Sequence, residues 1–127
     1  MVKTINSILL IDDDDATNFF NKMVIEGVGY SSDIEIQTSG QSALDYLKHE
    51  PNFPSLIFLD INMPGMDGWE FLDHFQATFN GKQVIIVMLT TSQNPEDQSN
   101  SKKYNVHRFL SKPLTGATFE QVLTDFF

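Results

Sequence analysis

Short apolar runs alternate with amphipathic stretches along this chain, the pattern of strands alternating with helices. Ser7–Ile11 is apolar without a polar break after its first residue, as expected of a central strand covered by helices on both faces. Ile34–Thr38 alternates strictly, so one side meets the core and the other meets water, which suits an edge strand. Leu56–Leu59 and Val84–Leu89 are again continuous, and Arg108–Leu110 is a shorter fifth run.

The stretches between them carry helix punctuation. The first, about Ala16 to Glu26, sets Phe19, Phe20, Met23 and Val24 at helical spacing and ends before Gly27 and Gly29. Aromatic residues so spaced are expected in the core. Ser39 or Ser42 caps a second helix, whose stripe of Ala43, Leu44 and Leu47 ends before Pro51. A third begins near Asp67, places Trp69, Phe71, Leu72 and Phe75 on one side, and stops by Asn80-Gly81. A fourth opens at Asn94-Pro95-Glu96-Asp97, where a capping Asn, a first-turn proline and two acids agree on a helix N-terminus. From Gln98 to Lys103 it has almost no apolar stripe, which predicts a poorly anchored, mobile helix. The fifth runs from about Thr118 to the end and buries Phe119, Val122, Leu123 and Phe126. The expectation is an α/β fold, a doubly wound five-stranded parallel sheet with five helices, whose functional groups collect at the carboxyl ends of the strands. The 127 residues are read as one domain, with no room for an output domain.

Composition narrows the functions available. A 41% hydrophobic content in short runs fits a soluble globular chain, and no run approaches the length of a membrane span. Without cysteine there is neither a disulfide framework nor a thiolate zinc site, and the cytoplasm is the expected compartment. A formal charge of −9, from 17 acidic and 8 basic residues, repels a phosphate backbone and argues against direct nucleic-acid binding.

The strand ends concentrate chemistry. The first ends in Asp12-Asp13-Asp14-Asp15. Adjacent carboxylates repel one another unless a cation or solvent compensates. Asp14 and Asp15 read as solvated or helix-capping, whereas Asp12 and Asp13 suit a hard divalent cation such as Mg²⁺. Asp60 follows four apolar residues, an expensive place for a charge, and the turn-rich Asn62–Gly68 segment after it can bend a carbonyl toward a cation. Thr90-Thr91-Ser92 ends the fourth strand with hydroxyls that either cap a turn or donate to a phosphoryl oxygen. Lys112 follows the fifth strand, as ordinary surface charge or facing the acids. Together these supply a carboxylate nucleophile in Asp60, acids for a metal, a hydroxyl and a cation, which is nearly all that phosphoryl transfer needs.

Ile8–Asp14, Leu59–Gly68, Leu89–Ser92 and Phe109–Pro113, in that order, resemble the motifs of response-regulator receiver domains, and the resemblance spans about Lys3 to Phe126. It implies a flavodoxin-like sheet of strand order 2-1-3-4-5. It implies that Asp60 is the phosphoacceptor. Asp12, Asp13, Asp60 and the Asn62 carbonyl would hold Mg²⁺ or Mn²⁺, with Asp13 a direct ligand and Asp12 acting partly through water. By the same resemblance Thr90 senses the phosphoryl group, Lys112 is its counter-ion, Phe109 changes rotamer with Thr90, and the Lys112–Pro113 peptide is cis. Asn62 and Ser92 occupy the variable positions beside the phosphoryl site. The implied donor is a histidine kinase or a histidine phosphotransfer protein docking near the first helix. The implied output is a surface change around the fourth helix and fifth strand, or onward relay of phosphate. Thr91 departs from the small Ala or Gly common there, and the polar fourth helix departs from an ordinary hydrophobic dimer face.

Three other readings compete with it. Asp13-Asp14-Asp15-Ala16-Thr17 fits the Asp-x-Asp-x-Thr loop of haloacid-dehalogenase-like phosphatases with Asp13 as nucleophile, but Asp12 interrupts the strand before it and no further acidic pair suits that site. Adjacent acids also lack the alternating ligands of an EF-hand. A receiver-shaped interaction module that takes no phosphate is the third.

Overall fold

The chain is seen in a computed structural model that describes residues 5–29, 33–49, 53–91 and 94–127. Lys3, Pro51 and Ser92, used above, lie outside the described residues. In chain order the elements are β1 (Ser7–Ile11), α1 (Asp15–Gly27), β2 (Asp33–Gln37), α2 (Gly40–His49), β3 (Leu56–Leu59), α3 (Gly68–Thr78), β4 (Ile85–Thr90), α4 (Pro95–Lys103), β5 (Arg108–Ser111) and α5 (Gly116–Phe126). All strand pairs are parallel, in the order β2-β1-β3-β4-β5, so β2 is an edge and β1 is central, as expected.

Every residue of β1 and β3 is buried. Alternate side chains feed two cores, one on each face of the sheet. Leu9, Ile11, Ile57 and Leu59 join α2 and α3 residues on one face. Ile8, Leu10, Leu56 and Phe58 join Ile25 of α1 and Phe119 and Val122 of α5 on the other. Each large side chain so buried is worth about 1.5–3 kcal/mol, which makes these strands the rigid base of the carboxyl edge.

The helices match expectation unevenly. Ser39 caps α2 through the Ser42 backbone N–H at 3.0 Å, and Trp69, Phe71, Leu72 and Phe75 of α3 are all buried. α5 starts earlier than expected, at Gly116, because Thr115 caps it in a reciprocal box with Thr118. Leu123 and Phe126 are only partly buried. The stripe proposed for α1 is the main correction. Phe19, Phe20 and Met23 are 64%, 47% and 55% exposed, while Asn18, Asn21 and Ile25 face the sheet. The buried positions are spaced three and four apart on one side of the helix, and the bulkiest apolar residues fall beside that face. α4 has no buried residue, in keeping with its polar sequence.

Candidate functional site

Strand register assembles the site. Ile11 pairs with Leu59, Leu59 with Met88, and Thr90 with Ser111, so the residues that follow leave the sheet at one edge. The Asp60 N–H donates to the Ile11 carbonyl at 3.0 Å and the Lys112 N–H to the Thr90 carbonyl at 2.9 Å, which prolongs the sheet to the functional side chains. Asp12, Asp60 and Thr90 are buried at 4%, 5% and 0% exposure, and Asp13 is exposed beside them.

The turn after Asp60 depends on two glycines. Gly65 has φ +78, in the left-handed region that glycine tolerates. At Gly68 a Cβ would lie 2.6 Å from the Asp60 carbonyl oxygen, so only glycine lets α3 begin against the backbone at this edge of the sheet. The Gly68 N–H closes the turn on the Ile61 carbonyl at 2.8 Å, and Asp67 and Glu70 form a capping box on α3. Asn62 is exposed on this turn.

Charge is arranged around one lysine. Lys112 Nζ stands 2.6 Å from Asp12 Oδ2 and 3.3 Å from Asp60 Oδ2. Burial pushes the Asp60 carboxyl above its ordinary value and repulsion from Asp12 adds to this, while Lys112 and a hydrogen bond from Thr90 oppose it. Burial works against the Lys112 ammonium, but its hydrogen bond to Asp12 and the two nearby carboxylates outweigh it and raise its pKa. Asp14 turns away from the cluster. It caps α1, accepting from the Ala16 N–H at 3.2 Å and the Thr17 hydroxyl at 2.6 Å, which holds its carboxyl below the usual range, as its reading as a cap required.

Asp12, Asp13 and Asp60 each offer a carboxylate oxygen, and these lie within 4.8 Å of one another. Hard oxygen donors at that separation fit a Mg²⁺- or Mn²⁺-type cation. The structure thus brings Asp12, Asp13, Asp60, Thr90 and Lys112 together. Phe109 is partly buried and packs against the α2–α3 core. Thr91 is exposed, and the Lys112–Pro113 peptide is cis.

Two contributors escaped the sequence reading. Asn18 donates from α1 to the Asp12 carbonyl at 2.7 Å. Its signal was its position seven residues before Ile25, on the same helix face. Trp69 Nε1 donates to Asp97 at 2.9 Å and its ring stacks on Tyr104 at 5.4 Å, so α4 is tied to α3 by polar and aromatic contacts in place of apolar burial.

The family model described as the response regulator receiver domain matches residues 8–124. A curated relative, the probable methanogenesis regulatory protein FilR2 of Methanothrix harundinacea, is 32% identical over 112 residues, covering 85% of this chain and 72% of the relative. Response regulator Rcp1 of Synechocystis is 30% identical over 110 residues, covering 83% and 75%. Among solved structures, a two component response regulator from Cytophaga hutchinsonii superposes with a TM-score of 0.86 at 36% identity, over 97% of each chain.

Proposed function

The chain belongs to the response regulator receiver domain family, and from that premise we propose that Asp60 accepts a phosphoryl group from a phosphohistidine donor. Members of this family act in signalling and are not classical enzymes. Receiver domains bind divalent metal, and an Mn²⁺-bound form of Rcp1 is among the similar folds, with a TM-score of 0.76 at 26% identity over 94% of this chain and 90% of that one.

The observation that carries the reading is Asp60 itself, a buried carboxylate within 3.3 Å of a lysine at an edge that also holds two other acids. One Asp60 oxygen attacks phosphorus, the phosphorus–nitrogen bond of the phosphohistidine breaks, and its electron pair returns to the imidazole, leaving an acyl phosphate. Asp12, Asp13, Asp60 and the Asn62 carbonyl would hold Mg²⁺ or Mn²⁺, which neutralises charge on the phosphoryl oxygens when bound. Lys112 pairs with another phosphoryl oxygen. Thr90 hydrogen-bonds the new group, Phe109 follows it, and the surface at α4 and β5 changes. The haloacid-dehalogenase-like reading is not favoured, because the lysine and the threonine serve Asp60 and not the exposed Asp13.

The donor is a histidine kinase or a histidine phosphotransfer protein, and α1 supplies its docking face. The large hydrophobic side chains exposed among the described residues, Phe19, Phe20 and Met23, all lie on that helix. Label should pass from a phosphorylated histidine donor to this chain with Mg²⁺ present and not to Asp60→Asn. Equal labelling of the two would refute the assignment.

A further inference from the structure

Asn18 is 1% exposed on the inward face of α1, and its Nδ2 meets the Asp12 carbonyl at 2.7 Å. A carbonyl only accepts, so the end of the amide against it is the NH₂ and Oδ1 is the other end. That oxygen is buried with no hydrogen-bond partner among the described residues. Asn18, Asn21, Asp12 and Asp60 all line a void of about 10 Å³ under the acidic edge. This is room for one water, and buried polar atoms without protein partners are commonly satisfied by ordered water.

We propose that Asn18 is a positioning residue of the acidic site, its amide fixing the Asp12 carbonyl at one end and holding a single water beneath Asp60 at the other. The inference rests on the receiver reading of the site. Groups that orient metal ligands without touching the metal commonly govern affinity by about 10–100-fold. Asn18 stands in that relation to Asp12, because its bond fixes the backbone from which the carboxylate projects.

The test is Mg²⁺ affinity by calorimetry in the parent chain and in Asn18→Leu, which keeps the branching at Cγ and lacks both polar ends. The Kd should rise about tenfold or more. The metal-free thermal midpoint should fall somewhat, since the Asp12 carbonyl loses its donor, so both chains are titrated at a temperature well below either midpoint. An unchanged Kd overturns the proposal, whatever the midpoint does. Two measurements on the parent need no variant. The Asn18 side-chain NH₂ protons should exchange more slowly than those of exposed Asn80, and a crystal structure should show an ordered water on Oδ1. Exchange as fast as that of Asn80 overturns the amide role, and an Oδ1 without a water overturns the hydration site. A parent that binds no Mg²⁺ overturns the receiver reading itself and this inference with it, whereas a parent that binds Mg²⁺ as tightly as Asn18→Leu does overturns the inference alone.

Discussion

On one side of Asp60, bonds from several elements converge on Asp12; on the other, α4 hangs from α3 by a few polar and aromatic contacts. The Asp12 N–H reaches β2 at Gln37, its carbonyl receives Asn18, and its carboxylate receives the Asp14 N–H at 2.9 Å and Lys112 at 2.6 Å. α4 buries no residue and relies on Trp69–Asp97, the Trp69–Tyr104 stack, and a 3.2 Å bond from Gln76 to the Tyr104 carbonyl. The two sides suit different tasks. Phosphoryl chemistry needs fixed charges, whereas a reporting surface needs two states separated by little free energy.

The largest effect is expected on the fixed side. Lys112→Ala leaves Asp12 and Asp60 facing each other without a counter-charge and should cost about 2–3 kcal/mol in metal-free buffer, somewhat less than a fully buried pair because the lysine keeps some solvent contact. Mg²⁺ should restore more stability to this variant than it adds to the parent, as denaturant melts with and without EDTA would show. Equal increments would mean that Lys112 is not acting as the stand-in cation.

Trp69→Phe probes the loose side. It keeps a ring for Tyr104 and deletes the donor to Asp97, at a cost of about 1 kcal/mol. Hydrogen exchange should quicken in α4 and leave β1 and β3 unchanged, and in the parent the α4 amides should already exchange faster than those strands. Protection of α4 equal to that of β1 would erase the contrast.

The smallest effect concerns pH. Because the folded state raises the Asp60 pKa, its contribution to stability is fully present below the ordinary value of 3.8 and is lost as pH rises through the folded value. Ionised Asp60 is therefore a cost at neutral pH. Asp60→Asn should raise the thermal midpoint at pH 7, with the gain shrinking as pH falls toward 3.8. A gain that stays constant across that range would point to packing and not to charge.

Much of the fixed side was legible in the sequence. Continuous apolar runs marked β1, β3 and β4 as buried, and parallel register then carries Asp12, Asp60, Thr90 and Lys112 to one edge. The face of α1 was not legible, since Phe19, Phe20 and Met23 look like core residues by spacing while two asparagines face the sheet. Periodicity reports which residues share a face, not what covers it. The tether of α4 was hidden for another reason. Trp69 and Asp97 are 28 residues apart, and no local propensity announces a bond between two helices.

Intact-mass measurement after incubation with acetyl phosphate and Mg²⁺ decides the assignment of Asp60 as the phosphoacceptor. One acid-labile phosphoryl adduct on the parent, absent from Asp60→Asn and suppressed by EDTA, is the predicted result. No adduct on the parent, or an adduct that survives Asp60→Asn, would contradict it.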